Sequence, residues 1–249
     1  MRNISAMKME HVRKPIQLLA IGAHPDDIEF GMGGVLLKER DAGAELSLVI
    51  TSKGESGTSG TPALREAEAR AAASMLGAAD RMTFLDFGGD GQQEATPGNA
   101  LALARIIRDI RPSMVFAPVP LPNQHPDHVA VGTIARNACR LARFGGLAPL
   151  KPLPLHKIDS LWFYSLSSSS DAAISSAVLV DISNVMEEWK TLMACHHTQV
   201  TSRDYLDLQI SRARQLGLMA GCEYASALWP GDPPVVEHIS DFNRTARGF

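Results

Sequence analysis

Cysteine is scarce in this chain, neither sign of charge is in clear excess, and long apolar runs are missing. Each shortage excludes something. The three cysteines, Cys139, Cys195 and Cys222, are odd in number and far apart. They supply no disulfide framework and no Cys-x-x-Cys pair for metal or redox work, so a reducing cytoplasm is the expected setting. The net charge is −3, and basic residues such as Arg65, Arg70, Arg105 and Arg108 are scattered rather than gathered into a patch. No footprint for nucleic acid is visible. No apolar run approaches the roughly 20 residues needed to cross a bilayer. Residues 1–14 are polar and mixed in charge, without the apolar centre of a secretory signal. Neither nucleic acid nor a membrane is an expected partner. What is present is a globular composition, 45% hydrophobic and 20% charged, and at 249 residues the chain can bury a real core.

The first half alternates short β-rich runs with helical patterns. Strands are predicted at residues 16–21, 46–51, 81–85 and 114–117, and helices at 32–42, 62–76, 101–110 and 128–143. Gly43 and Gly77 suit helix ends, and Pro62 suits a first helical turn. Such alternation implies a parallel sheet covered on both faces, joined by right-handed crossovers. The second half is less regular, with strands predicted at 161–164 and 178–182 and helices at 185–194 and 204–220. One domain is expected over 1–249, with a core at about 16–145 and an elaboration over about 146–249.

Two short motifs carry the chemistry: His24-Pro25-Asp26-Asp27 and His125-Pro126-Asp127-His128. Each follows a predicted strand, the first strand and the fourth. In an open α/β sheet such positions face one crevice where strand order reverses. Imidazole with carboxylate is what a divalent metal with an open coordination position requires. The prolines suit the first turn of a helix, and residues three apart then share one side of it. A lone His-Pro-Asp-Asp reads equally well as a turn, because Asp and Pro are ordinary turn formers. Two such clusters at equivalent sheet positions do not. Spacing leaves open which of Asp26 and Asp27 is the ligand.

The runs AHPDDIEFGMGG and HPDH, with GTPALREAEARAAASMLG between them, resemble the LmbE/PIG-L family of zinc-dependent N-acetylglucosaminyl deacetylases. The likeness continues through ARFGGL, HKIDSLWFY, HHTQ and GCEYASALWP, and is closest to the bacillithiol-pathway deacetylases acting on N-acetylglucosaminyl malate. The fold this implies, in line with the alternation above, is an α/β Rossmann-like three-layer sandwich with a mostly parallel sheet and a C-terminal elaboration. The resemblance implies His24, Asp27 and His128 as zinc ligands, a set that ferrous iron can also occupy. It implies Asp26 as the general base acting on zinc-bound water, and His125 as the group that stabilises the transition state or acts as acid. Asp127 is placed by sequence to hold a His125 imidazolium, with helix capping as its plain alternative. Arg65 matches a family position that contacts the sugar; salt bridging along its helix is the other reading. Asn123, just before the second motif, is expected to touch the substrate. The resemblance further implies a small-molecule amino-sugar substrate and a homo-oligomer, trimer or hexamer.

Weaker features complete the reading. Residues 53–60 (KGESGTSG) suit either a lid with glycine hinges or an ordinary mobile loop. Glu29 is expected to hold loop amides. Gly31-x-Gly33-Gly34 superficially suggests a nucleotide fingerprint but has the wrong spacing and follows no strand. His196 and His197 are accounted for by helix termination and packing, with His196 reaching the site as the minority reading. Asp90 in GGDG is read as a turn former, and Trp162, Trp189 and Trp229 as core or subunit-contact residues. Three other functions fit the same residues less well: a non-haem iron oxygenase using two histidines and one carboxylate, an amidase for a different N-acyl sugar, and a sugar-binding module with a structural metal.

Overall fold

The computed structural model describes residues 15–122, 124–167, 174–201, 204–241 and 244–246. Leu18, Leu19, Ala20 and Ile21 leave no face of β1 (Gln17–Gly22) in solvent. Such a strand belongs inside a sheet with helices on both sides. Leu18 and Ala20 join one apolar cluster, with residues of α1 (Asp27–Asp41), α2 (Pro62–Met75) and α5 (Met186–Ala194). Leu19 and Ile21 join the other, with α3 (Pro97–Ile110) and α4 (Pro126–Ala142). The alternation of side chains along the strand thus generates the three layers.

β1 pairs in parallel with β2 (Glu45–Ile50) on one side and β4 (Met114–Pro118) on the other. β3 (Met82–Phe84) extends the sheet beyond β2, and β5 (Ser160–Tyr164) extends it beyond β4, both in parallel. β7 (Ala225–Pro230) then lies antiparallel to β5 and to β6 (Val178–Asp181), so the order is β3-β2-β1-β4-β5-β7-β6. The chain leaves β1 toward β2 and β3, then returns across it to β4. The crevice beyond β1 and β4 is therefore the switch point at which such sheets bind ligands.

Besides a short unpredicted helix at His197–Val200 and an earlier start of α3, the structure departs from the predicted elements at β7 and α1. β7 is not among the predicted strands; wedged between β5 and β6, it buries Ala225 to Trp229 without the alternation that marks a half-exposed strand. α1 begins at Asp27, five residues ahead of its predicted start, because the polar residues of its first turn are themselves buried.

α1 is enclosed from Asp27 to Leu37, which explains the three glycines in its middle. A Cβ on Gly31 would stand 2.3 Å from the Tyr164 ring, and one on Gly34 would stand 2.9 Å from Ile182. The apparent nucleotide fingerprint is a packing stripe. Trp189 and Trp229 are buried in the two core clusters. At the far end of α4, the buried Arg108 donates to the carbonyls of Ala142, Phe144, Leu150 and Leu153 and so ties off that helix. Among the described residues no helix is long and apolar enough to cross a membrane.

Candidate metal centre

The turn between β1 and α1 carries the first motif, and the start of α4 carries the second. Asp27, the first residue of α1, folds its carboxylate back over the turn, where Oδ2 accepts from the amides of Ala23 (2.8 Å) and His24 (2.9 Å). Oδ2 then stands 3.6 Å from His24 Nδ1, and Oδ1 stands 3.1 Å from His128 Nε2. Donors held about 2.1 Å from one tetrahedral ion are roughly 3.4 Å apart. Asp27 meets the two imidazoles through different oxygens, while the donor atoms gathered within 4.8 Å of one another are those of His24, His125 and His128 and those of His24, Asp90 and Asp127. The rings of His24, His125 and His128 form a triangle with centroids 5.0 to 5.4 Å apart.

The second nitrogen of His24 is also engaged. Nε2 lies 2.9 Å from Asp127 Oδ2 and 3.0 Å from Asp90 Oδ1. A carboxylate on the far side of a ligating imidazole fixes its tautomer and strengthens it as a donor. Asp127 is locked in turn by the amides of Gly91 (2.7 Å) and Gln93 (3.2 Å). The expectation that Asp127 would hold His125 is thus redirected: its carboxylate turns to His24 and the turn after β3, while only its backbone amide meets His125. Burial disfavours an imidazolium at His24, yet Asp27, Asp127 and Asp90 outweigh it and raise its pKa to about 12. Burial likewise disfavours charge on Asp27, but His128 and His24 hold it well below the usual carboxylate range. Asp127 is held at about 2, burial being overcome by His24 and the Gly91 amide. Asp127→Asn is expected to weaken metal binding about 10- to 100-fold, measured by competition with a chromophoric chelator; unchanged affinity would remove Asp127 from this role.

Asp26 faces elsewhere. Its backbone has φ of 116°, a region that non-glycine residues rarely occupy and that costs about 1–3 kcal/mol. Arg65 holds the turn there: the buried guanidinium donates to Pro25 O (2.9 Å), to Asp26 Oδ2 (3.2 Å) and to Gly54 O (3.2 Å). Gly54 has no room for a side chain, since a Cβ would fall 1.8 Å from Arg65 Nη1. Arg65 is thus a clamp on the Asp26 turn. Burial and the neighbouring Asp27 charge raise the Asp26 pKa to about 7, against the pull of Arg65, His196 and His24. The two adjacent aspartates thus have opposite electrostatic environments. The Asp26 side chain is 16% exposed and that of Asp27 only 3%.

His125 caps α4, its Nδ1 accepting from the Asp127 amide at 3.3 Å, which leaves the proton on Nε2. Burial and the charges of His24 and His128 lower its pKa. At neutral pH it is a neutral imidazole with an N–H to offer, not an imidazolium.

Several neighbours escape a reading of the sequence as site residues. Asp90, expected to be a turn former, touches His24 and also accepts from the Ser56 amide. Gln93 links Thr51, Ala23 and Asp127. The GGDG turn on the catalytic side of β3 is the available signal for both. Residues 53–60 are pinned to that turn through Ser56 and Asp90, and to α6 (His197–Val200) through Gln199 and Ser59. Glu29 does not hold loop amides but lies 3.1 Å from His196 Nε2 in a fully buried ion pair behind Asp26. Asn123 lies outside the described residues.

Comparison with known proteins places the chain among deacetylases. Residues 19–139 match the family model described as PIG-L, GlcNAc-PI de-N-acetylase. The diacetylchitobiose deacetylase of Thermococcus kodakarensis is 28% identical, over 91% of this chain and 86% of its own. The 1D-myo-inositol 2-acetamido-2-deoxy-alpha-D-glucopyranoside deacetylase of Nakamurella multipartita is 29% identical, over 75% of this chain and 80% of its own. Among solved structures, the conserved protein TT1542 from Thermus thermophilus superposes with a TM-score of 0.79 at 31% identity, covering 89% of this chain and 97% of that one.

Proposed function

Because this chain belongs to the PIG-L family of de-N-acetylases, we propose that it hydrolyses the acetamide of an N-acetylglucosamine-containing small molecule, giving acetate and the free amine. The related enzymes named above share an acetylated amino sugar and differ in what is attached to it. The sugar is therefore the firmer part of the substrate. The observation that carries the reading is the unequal environment of two adjacent aspartates: Asp27 is tied between His24 and His128, and Asp26 has a pKa near 7 beside the same centre. An oxygenase has no use for that second carboxylate.

In this reading His24, Asp27 and His128 hold zinc, and ferrous iron fits the same donors. Bound there, the ion supplies Lewis acidity, which lowers the pKa of water toward about 7 and polarises a carbonyl. Asp26, whose pKa is raised to about 7, takes a proton from the attacking water and returns it to the departing nitrogen. One carboxylate serves as base and then acid, and the second water proton passes from the acetic acid formed to the amine, which leaves as its ammonium. His125 donates its Nε2 hydrogen to the oxygen on which charge develops. Being neutral, it need not lose a proton to do so. Arg65 keeps Asp26 in its unusual backbone conformation and acts through it. The three free cysteines suit a reducing compartment, in keeping with cytoplasmic work on a small substrate.

The deciding experiment supplies zinc-loaded protein with N-acetylglucosaminyl conjugates of sugar, inositol and malate, under nitrogen and with or without a chelator. Acetate and free amine are expected in equal amounts, without oxygen, and not with the chelator present. Failure to release acetate from any of the three conjugates would overturn the proposed substrate class, and chelator-resistant release would overturn the metal mechanism.

A further inference from the structure

The metal centre uses only the N-terminal end of α4. The other end carries Arg136 and Arg140, four residues apart, with Arg143 just beyond the last turn, so three guanidinium groups follow one face. They line an open surface cavity of about 310 Å³, flanked on its other side by Lys157 and Ser160, with Asp232 as the one acid in its wall; Arg140, Arg143 and Lys157 are exposed. Twelve residues of helix separate His128 from Arg140, about 18 Å at 1.5 Å per residue. The cavity is distinct from the metal centre.

These cations lack the partners that other arginines of the fold have. Arg40 is paired with Glu188, and Arg65 and Arg108 donate to buried carbonyls. The side chains of Arg136, Arg140, Arg143 and Lys157 form no ion pair or hydrogen bond among the described residues, though Arg143 lies over the Phe144 ring. Arg136 is half-buried, held 5.1 Å over the Phe163 ring, and its Nε is enclosed without a hydrogen-bond partner. Capping of the helix end does not account for the cluster, because Arg108 already takes the carbonyls of Ala142 and Phe144. Like charges gathered around a cavity repel one another, and an oxyanion relieves that repulsion while accepting from their planar donors. The volume lies at the small end of the range for small-molecule sites, about 300–1,000 Å³.

We infer that this cavity binds a small, multiply charged oxyanion of the phosphate or carboxylate class, apart from the metal centre. The test is calorimetric titration of metal-loaded full-length protein with inorganic pyrophosphate and, separately, citrate, at constant ionic strength. Saturable binding of one anion per chain is expected, and the better ligand identifies the class. In the Arg140→Gln/Arg143→Gln double variant affinity is expected to fall at least tenfold, with the melting temperature unchanged; Lys157→Gln gives a second reading of the same kind should the double variant fail to fold. Arg70→Gln, which removes a surface arginine on α2, is expected to leave affinity as it was. Absence of saturable binding overturns the inference. So does affinity unchanged in the double variant, which puts the anion elsewhere, or an equal loss in Arg70→Gln, which reduces the effect to diffuse charge.

Discussion

Asp26→Asn is expected to lower kcat for acetate release by about 100- to 10,000-fold, the usual contribution of a positioned general base, while the metal content stays at the wild-type level. Asparagine is the informative replacement. It is among the few residues that tolerate a positive φ, so the backbone at 116° is retained where alanine would strain it. It also keeps an oxygen for the Arg65 guanidinium, 3.2 Å away in the native turn. What it removes is the capacity to take a proton. Burial and the Asp27 charge hold the Asp26 pKa near 7. The base form is the deprotonated one, so wild-type kcat is expected to rise as pH increases through about 7. The variant is expected to lose that rising limb. A pH–rate profile measured for both proteins, with bound zinc quantified on the same samples, checks both points. Near-normal kcat in the metal-loaded variant would assign proton transfer to another group.

Much of this arrangement was legible in the sequence because it is local. β1, β2 and β4 are continuous apolar runs ended by turn residues, and the helices between them carry their own start and stop signals. That order alone implies a parallel sheet with both motifs at its carboxyl edge. What was not legible depends on contacts far apart in the chain. β7 enters the sheet between β5 and β6, out of chain order and buried on both faces, so neither sequence neighbours nor alternation mark it as a strand. The turn of Asp127 toward His24 joins residues 103 positions apart, whereas its sequence neighbour His125 was the natural guess. Arg65 shows the same limit. Helical spacing offers it Glu66 or Glu68, and only the folded chain brings Pro25 and Gly54 to its guanidinium. The glycines of α1 acquire meaning once Tyr164, Trp189 and Ile182 are packed against them.

The proposed mechanism gives Asp27 two tasks, and replacing it with alanine or with asparagine separates them. As the proposed ligand it would contribute the carboxylate set between His24 and His128. As a structural acceptor it satisfies the amides of Ala23 and His24 inside the turn. Alanine removes both functions, leaving two buried amides without partners at about 1–3 kcal/mol each. Asparagine keeps a carbonyl oxygen for the amides and loses the charge that attracts a dication. Both variants are expected to fall to background activity with zinc no longer stoichiometric after gel filtration. Their metal-free stabilities are expected to differ, with Asp27→Asn melting near metal-free wild type and Asp27→Ala several degrees lower. Metal binding stabilises only a protein that can hold the ion. A chelator should therefore lower the melting temperature of wild type and leave both variants unmoved. If the chelator leaves wild-type melting unchanged while Asp27→Asn remains active, the carboxylate is a turn cap and the ion is held elsewhere.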